Sequence, residues 1–317
     1  MEGVVEGVVA EGAAADVADV AGAVDEDCEG SAIMISTLPA LGVGLGFREP
    51  FRSDVLFHRD RIDFLEITAD HYLDVPDGKL QELEMLADHF TLIPHGLSLS
   101  LGSAEGLDQG YRNQIVDLVR RIDPPWWSEH VAFTRAGGIE LGHLAPVPFS
   151  HEAIDILAAN IAEVQELLDT PLILENITYD FRLPGDELDE GAFLAKLTER
   201  TGCGLLLDLT NLYTNAMNHG GDPIDLLDQL PLDRVVQLHF VGGHWEQGVL
   251  IDSHSQPVPA QVWELMDFVL ARAPVRGAIL ERDENLPPFE SLLDELERAR
   301  QLGRKHGLWP SPTSNGS

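Results

Sequence analysis

The sequence predicts an α/β fold of the (β/α)8 TIM-barrel class, and two observations support this. Eight short, almost wholly apolar runs recur along the chain, and stretches with helical periodicity separate them. Apolar strands that alternate with amphipathic helices indicate a parallel sheet covered by helices, and eight such units can close into a barrel. The main alternative is an open doubly wound sheet. Its dinucleotide-binding form is disfavoured because "GVGLGF" lacks the G-x-G-x-x-G spacing.

The eight predicted strands are short and rich in Val, Ile and Leu. They are "LGVGLGF" (41–47), "DFLEIT" (63–68), "TLIPHG" (91–96), "WWSEHVAF" (126–133), "PLILENI" (171–177), "GLLLDL" (204–209), "RVVQLHF" (234–240) and "GAILERD" (277–283). The predicted helices between them have apolar residues at helical spacing. Examples are "LQELEMLADHF" (80–90), "YRNQIVDLVRRI" (111–122), "HEAIDILAANIAEVQELL" (151–168) and "PAQVWELMDFVLARA" (259–273).

The chain is organised as one domain between two tails. Residues 1–38 contain no Lys or Arg and form a low-complexity mix of Ala, Val, Gly and acids, which is typical of a disordered acidic tail. Residues 306–317 indicate a loose C-terminal tail. The catalytic domain is therefore predicted at 39–305.

The charge balance limits the partners. The chain has 20 Lys and Arg residues against 54 Asp and Glu residues, a net charge of −34. Such a field repels phosphate backbones and anionic membranes, so we expect neither nucleic acid nor a membrane as a partner. A surface tuned for solubility or high salt is an equally simple explanation of the charge.

Cysteine usage and hydropathy indicate a cytoplasmic protein. Cys28 and Cys203 lie far apart and in no metal-ligand spacing, which disfavours a thiolate metal site or a disulfide framework. No segment reaches the roughly 18 uninterrupted apolar residues of a membrane-spanning helix, and the N-terminus lacks the basic region of a secretory signal.

Polar residues recur where the predicted strands end. Seven of the eight strands finish in a carboxylate or an imidazole: Glu66, His95, Glu129 with His130, Glu175 with Asn176, Asp208, His239 and Glu281. A single residue of this kind is more often a helix cap or a salt-bridge partner. Seven that converge on one face of a barrel need cations to offset their repulsion, and few basic residues lie near these motifs. Metal ions are the expected countercharge.

A second group follows the seventh strand. The segment "HFVGGHWEQGVLIDSHSQPV" contains His239, His244, Asp252 and His254, and in an extended chain Asp252 and His254 project to the same side. Imidazole and carboxylate without thiolate suit iron, manganese or zinc. The number of candidate ligands exceeds the need of one ion, so we expect two or three. Glu129 and His130 point to opposite sides of a strand, so only one is expected to reach the metals.

These motifs resemble a known family. Their order and approximate spacing resemble those of the DUF692 family, the multinuclear non-heme iron-dependent oxidative enzymes. The motifs that carry the resemblance are "GVGLGF", "DFLEI", "HGLSLSLGS", "SEHVAF", "LENI", "TGCGLLLDLTNLY", "NHG" and "LIDSHSQPV". The resemblance covers about residues 40–295. It implies a TIM barrel with two or three iron ions of mixed valence. It also implies O2 as co-substrate and a ribosomally made precursor peptide, modified at cysteine and presented by a separate partner protein.

The resemblance also assigns roles to residues. It implies the metal ligands His95, His130, Glu175, Asp208, His239, Asp252, His254 and Glu281. Of these, we expect Asp208, His239 and Asp252 to be catalytic. The residues expected to contact substrate or support the ligands are Glu66, Asp70, His71, Glu129, Asn176, Asn211, His219 and His244. We expect Asn211 and His219 on a loop after the sixth strand.

Three departures from the family pattern stand out. Thr210 precedes Asn211 where the family often has two Asn residues, so only Asn211 can take that polar role. "HFVGGH" is one residue longer than the usual motif, which weakens the assignment of His244. Asp70 and His71 stand where Glu-Asn is more common, which predicts an altered substrate side.

Two other functions fit the same residues. A zinc or manganese sugar isomerase or phosphodiesterase on this barrel would use the same ligand types without O2, but such sites usually grip substrate with Lys or Arg, and the chain has only three Lys residues. A catalytically silent scaffold protein would have lost ligands, whereas every ligand position of the family is filled in this chain.

Overall fold

The computed structural model describes residues 34–309, and its helices and strands lie in that range. Its strands are β1 (Gly42–Gly46), β2 (Leu65–Thr68), β3 (Leu92–His95), β4 (Trp127–His130), β5 (Ala132–Ala136), β6 (Ile139–Pro146), β7 (Leu172–Glu175), β8 (Gly204–Asp208), β9 (Val235–Phe240), β10 (Gly242–Glu246), β11 (Val249–Gln256) and β12 (Gly277–Leu280). Its helices are α1 (Arg52–Phe57), α2 (Asp77–Ala87), α3 (Gln109–Ile122), α4 (His151–Gln165), α5 (Glu190–Thr201), α6 (Leu209–His219), α7 (Pro223–Leu227), α8 (Ala260–Leu270) and α9 (Phe289–Lys305). Short 3-10 turns lie at Ile35–Thr37, Glu49–Phe51, Arg59–Arg61, Ala69–Tyr72 and Leu232–Arg234.

Eight of the strands close into a parallel barrel. Their order around it is β1, β12, β9, β8, β7, β4, β3 and β2, and each predicted apolar run supplies one strand. β1 pairs in parallel with both β12 and β2, which closes the ring. The prediction of a TIM barrel is therefore confirmed.

The lower interior of the barrel, near the strand starts, is apolar. We call this set the lower layer: Ile35, Phe64, Ile93, Trp126, Ile173, Leu206, Val236 and Ile279. The chain passes close to itself at β1, where a Cβ on Gly44 would lie 2.5 Å from the Phe64 carbonyl oxygen and 2.7 Å from Ile279 Cδ1. Glycine at this position lets β1 pack against the lower layer.

The helices form where the sequence supplies an apolar stripe, and a side-chain cap begins α3, α4, α6 and α7. In α3, Asp108 accepts a hydrogen bond from the Tyr111 N–H, and the helix ends at Asp123 in the left-handed conformation with φ of 52°. Its buried face contains Ile115, Val116, Leu118 and Val119. Such helices cover the outside of the barrel and leave its strand ends free.

Two antiparallel hairpins, β5–β6 and β10–β11, extend the barrel and were not predicted. The single predicted run 126–133 divides into β4 and the start of β5. Each hairpin turns through two residues with positive φ: Gly137 (62°) with Gly138 (71°), and Gln247 (49°) with Gly248 (88°). Two successive residues with positive φ are the mark of the tight turns that match strand twist.

The folded region extends past both predicted boundaries. Ile35, placed in the tail by the sequence analysis, is buried in the lower layer, and Trp309 is buried against Gly303. Residues 1–33 of the predicted N-terminal tail, with Cys28, and residues 310–317 lie outside the described residues. Within residues 34–309, no helix is long and apolar enough to span a membrane.

Candidate metal centre

A polar layer lies directly above the apolar one. Successive strand residues face opposite sides, so Glu175, Asp208 and Glu281 face the interior two residues after Ile173, Leu206 and Ile279. We call the full set the upper layer: Glu66, His95, His130, Glu175, Asp208, His239 and Glu281, all of them buried. It lies at the carboxyl ends of the strands, where TIM-barrel active sites are found.

Strand β9 joins this layer through an irregularity. Leu205 pairs with Val235, but Leu206 pairs with Gln237, so one extra residue is accommodated in β9. The shift brings both Gln237 and His239 into the interior, where each contacts Glu66. An ideal alternation from Val236 would have placed His239 on the opposite face.

The first group of ligands contains His95, His130 and Glu175. The Nε2 atoms of both histidines lie 3.3 Å from Glu175 Oε2. Each ring is held from behind: His95 Nδ1 lies 2.8 Å from Ser128 Oγ, and His130 Nδ1 lies 3.1 Å from the Gly96 carbonyl oxygen. Both Nε2 atoms therefore face the same carboxylate.

The second group shares Glu175 with the first. His239 Nδ1 lies 3.3 Å from Glu175 Oε1 and 4.0 Å from Asp208 Oδ2. Asp208 also caps α6, because its Oδ1 accepts a 2.7 Å hydrogen bond from the Asn211 N–H. One carboxylate oxygen is thus used by the helix and the other faces the interior.

The third group shares Asp208 and adds Glu281 and His254. His254 Nδ1 lies 3.6 Å from Glu281 Oε2, and its Nε2 lies 3.0 Å from Asp252 Oδ1. His254 and Asp252 come from β11, so this hairpin supplies candidate ligands that the barrel strands alone do not. Asp252 and His254 lie on the same side of the strand, as their spacing predicted.

The atoms that face the interior fit metal ions. Among the described residues, Glu175 Oε2, Asp208 Oδ2 and His239 Nδ1 are buried without an aligned hydrogen-bond partner. Unpartnered buried carboxylate oxygens are costly unless a cation satisfies them. The donor set is imidazole and carboxylate without thiolate, a set suited to iron, manganese or zinc. The residues present can therefore hold metal ions.

The electrostatics of the upper layer are strongly coupled. Burial disfavours charge on His130, but Glu175 and Glu129 together raise its pKa to about 9. Burial also disfavours ionised Glu175, yet His130 and His239 lower its pKa to about 2. For Asp208, burial and the neighbouring Glu175 raise the pKa to about 7. A nearby cation would therefore favour the ionised form of Asp208.

A cavity of about 390 Å³ opens above these groups. His95, His130, Glu175, Asp252, His254 and Glu281 line its metal side. The rest of the cavity is lined by Thr68, His71, Leu97, Leu144, Ile177, Thr178 and Asn211, with Arg48 and Asp283 at one wall. Its floor is polar and ionisable, and part of its wall is apolar.

Arg48 corrects the expectation that few basic residues lie near the ligands. Its Nη2 lies 3.0 Å from Glu281 Oε1, and the guanidinium also pairs with Asp283. These partners are more than 230 positions apart in sequence, and only the pairing of β1 with β12 brings them together. A signal existed, since Arg48 directly follows the first predicted strand.

Three predicted supporting residues hold the ligands without lining the cavity. Glu66 contacts His239 from below. Glu129 accepts hydrogen bonds from the N–H groups of Leu99 and His130, while His130 faces the cavity. The Asn176 amide braces the end of β8, because it accepts from the Asp208 N–H and donates to the Asp208 carbonyl.

The remaining predicted residues divide between cavity and periphery. His71 and Asn211 line the cavity, whereas Asp70 accepts hydrogen bonds from the Leu97 N–H and the Tyr111 hydroxyl. His244 lies outside the cavity wall and contacts Ser253 Oγ at 2.8 Å.

The loop expected after β8 is a helix. Asn211 and His219 both lie in α6, which the Asp208 cap starts immediately after the strand. His219 is its last residue, and its Nε2 lies 2.8 Å from the Tyr179 carbonyl oxygen, away from the cavity. The sequence assignment of a loop was wrong because the cap lies within the apolar run itself.

Solved structures show the fold class. The chain is similar to D-psicose 3-epimerase with D-tagatose from Clostridium cellulolyticum H10, with a TM-score of 0.57, 11% identity, and coverage of 85% of this chain and 100% of that one. A xylose isomerase domain protein from Alicyclobacillus acidocaldarius gives a TM-score of 0.53 at 16% identity, covering 83% and 100%. At these identities the likeness shows the barrel alone.

Sequence comparison shows the family. The chain belongs to the RiPP precursor modification enzymes MbnB/TglH/ChrH, whose family profile matches residues 42–304. RiPPs are ribosomally synthesised and post-translationally modified peptides. A UPF0276 protein of Caulobacter vibrioides is 38% identical over 274 residues, which cover 85% of this chain and 98% of the relative. A Streptomyces avermitilis UPF0276 protein is 39% identical over 288 residues, covering 88% of this chain and 58% of the relative.

Proposed function

We propose that this member is a multinuclear iron-dependent oxidase that uses O2 to modify a precursor peptide at a cysteine. Four groups of described residues could hold an ion, and the observation that carries the proposal is that three of them are linked through shared carboxylates. Glu175 belongs to the first and second groups, and Asp208 belongs to the second and third. An enzyme with one ion needs one such group. The family supports a peptide substrate.

The ligand chemistry supports iron and more than one ion. Imidazole and carboxylate ligands suit ions that change oxidation state as well as zinc. When bound, two or three iron ions of mixed valence would supply the electron transfer by which O2 oxidises the substrate. Glu175 and Asp208 would each help to hold two of the ions, and Arg48 would offset part of the charge of Glu281.

The protein's own part is to bind and orient the peptide and to exclude water. The cavity of about 390 Å³ has room for a side chain with its flanking backbone. Leu97, Leu144 and Ile177 supply apolar walls, and Thr178 and Asn211 supply polar contacts. Asn211 Oδ1 is buried without a hydrogen-bond partner among the described residues, so it is placed to accept an N–H of the substrate.

Two further parts of the proposal concern context. A separate partner protein presents the precursor peptide, as the family resemblance implies. The location is the cytoplasm, where the buried thiol of Cys203 stays reduced.

The test begins with metal content. The protein is purified without O2, its metals are determined by elemental analysis, and iron-57-grown material is studied by Mössbauer spectroscopy. Two or three irons per chain with mixed valence support the proposal. Stoichiometric zinc or manganese that persists after anaerobic iron reconstitution would overturn it and favour a metal-dependent isomerase or hydrolase.

The second step tests the substrate. Small peptides encoded beside the gene are incubated with the iron-loaded protein and O2, with and without the adjacent candidate partner protein. A mass change that maps to cysteine and requires O2 supports the proposal. A Cys→Ser peptide is the matched control, because it keeps the polar side chain and removes the thiol.

A further inference from the structure

We infer that Glu66 is a positioning residue: held by Gln237 and Trp126, it fixes the His239 ring so that Nδ1 is the nitrogen offered to a metal. The inference rests on the metal centre of the proposed function but not on iron or O2. Glu66 is 2% exposed, and Trp126, Gln237 and His239 are fully buried. These four residues form one hydrogen-bonded chain beneath the ligands.

The direction of the chain is set at Trp126. An indole N–H can only donate, and Trp126 Nε1 lies 2.8 Å from Gln237 Oε1. That contact fixes which end of the Gln237 amide is oxygen. The amide NH2 therefore faces Glu66, and its nitrogen lies 2.6 Å from Glu66 Oε2.

The same logic carries on to His239. Its Nε2 lies 2.9 Å from both oxygens of Glu66. A carboxylate only accepts, so Nε2 carries the proton and donates. Gln237 Nε2 also lies 3.3 Å from His239 Nε2, but both nitrogens are closer to Glu66 Oε2, and both donate to it.

The consequence falls on the other ring nitrogen. With Nε2 committed to Glu66, Nδ1 is the ring nitrogen that faces the interior, 3.3 Å from Glu175 Oε1 and 3.2 Å from Glu281 Oε2, and a bound ion would take its lone pair. A carboxylate behind a metal-bound histidine fixes its tautomer and raises its strength as a ligand. One alternative competes: Glu66, His239 and Glu281 are themselves close enough together to hold an ion.

Zinc is the probe, because it is diamagnetic and has no redox chemistry. In the zinc-loaded protein with nitrogen-15 histidine, NMR should show His239 with Nδ1 bound to metal and Nε2 protonated, assigned by loss of the signals in His239→Asn. Glu66→Gln should keep the zinc count and weaken the affinity of one ion about 10- to 100-fold. The matched control is Glu190→Gln, a buried carboxylate that contacts Tyr179, which should change zinc affinity by less than about twofold.

Three results would overturn the inference: zinc on Nε2 of His239, loss of one whole zinc in Glu66→Gln, or unchanged affinity and spectrum in that variant. If Glu66→Gln does not fold, Gln237→Leu tests the same hydrogen-bonded chain, because it removes a donor to Glu66. This variant should weaken zinc binding about three- to tenfold. Unchanged zinc binding in it would count against the inference. Zinc bound through Nδ1 supports the inference even if iron analysis rejects the oxidase.

Discussion

Leu206 and Asp208 stand two residues apart on β8, yet they belong to layers with opposite requirements. The lower layer around Leu206 is apolar and needs no partner beyond its own packing. The upper layer around Asp208 contains buried oxygens and a ring nitrogen without hydrogen-bond partners among the described residues. The same strands supply both layers. Residues that stabilise the fold and residues suited to chemistry are therefore only two positions apart along a strand.

Substitutions in the two layers should therefore change different properties of the protein. Changes in the lower layer should alter the free energy of unfolding and leave the metal count unchanged. Changes in the upper layer should do the reverse, because a site with unpartnered buried carboxylates is already strained without a cation.

The largest expected effect comes from Asp208→Asn. The amide keeps an oxygen that can accept the hydrogen bond from the Asn211 N–H and cap α6. It loses the negative charge that two ligand groups share. Loss of an outer-shell partner costs about 10- to 100-fold in metal affinity, so loss of a shared ligand should cost more than about 100-fold. The metal content per chain, measured by elemental analysis, and the turnover rate should both fall. An unchanged metal content would contradict the shared role, and Asp208→Ala, which also loses the cap, is the comparison variant.

Leu206→Ala tests the other layer on the same strand. Removal of a fully buried leucine leaves a cavity and should lower the free energy of unfolding of the metal-free protein by about 2–5 kcal/mol. Denaturant titration measures this loss. The metal count at a temperature where the variant is folded should match the original. Loss of metal from the folded variant would break the separation of the two layers.

The pH dependence of metal binding should follow His130. The neighbouring carboxylates raise its pKa to about 9 in the metal-free protein, so an ion that binds Nε2 must displace a proton below that pH. Affinity should therefore rise with pH, about tenfold per unit for each proton released. Zinc titrations between about pH 6 and about pH 8 measure the slope. His130→Asn should bind more weakly with a shallower slope, and equal slopes would contradict the assignment.

Arg48→Met should have a smaller effect. The guanidinium holds Glu281 Oε1, which leaves Oε2 for the metal side. Its loss should weaken metal binding about three- to tenfold without changing the count, because an outer-shell partner is removed while a ligand remains. Isothermal titration with zinc measures the change. Arg48→Lys, which keeps the charge but not the two-pronged geometry, should fall between, and tighter binding in Arg48→Met would be the opposite result.

The smallest effect is expected from His219→Ala. This ring stacks on Tyr179 and lies outside the cavity, so zinc affinity and turnover should change by less than about twofold.

His71→Ala is the informative comparison, because His71 lines the cavity without belonging to a ligand group. It should alter the Michaelis constant for the peptide and leave zinc binding unchanged. A large loss of turnover in His219→Ala would place substrate outside the cavity.

The sequence predicted the barrel strands and the polar residues that gather at their carboxyl ends because both depend on local patterns. Asp208, for example, follows an apolar run that only a covered strand explains. The first hairpin was missed although Gly137 with Gly138 is a recognisable turn pair, whereas Gln247 with Gly248 is a less typical one. The separation of the two interior layers also needed the structure, since the irregularity in β9 shifts Gln237 and His239 by one position.

Contacts between distant strands could not be predicted from one sequence. Arg48 meets Glu281 across 233 positions, and Gln237 meets Glu66 across 171. These contacts depend on which strands are neighbours in the closed barrel and on their register, and local periodicity contains neither. The helix α6 was misassigned for a related reason. Asp208 is at once the last residue of β8, the N-cap of α6 and a residue that faces the barrel interior.

Trp126 has an optical consequence. Its indole is fully buried and is connected through Gln237 and Glu66 to His239. A fluorophore fixed this close to a paramagnetic ion loses emission by energy transfer, and a diamagnetic ion at the same place leaves the emission largely intact. The chain has five Trp residues, so the part of the emission that Trp126→Phe removes can distinguish an iron-filled centre from a zinc-filled one.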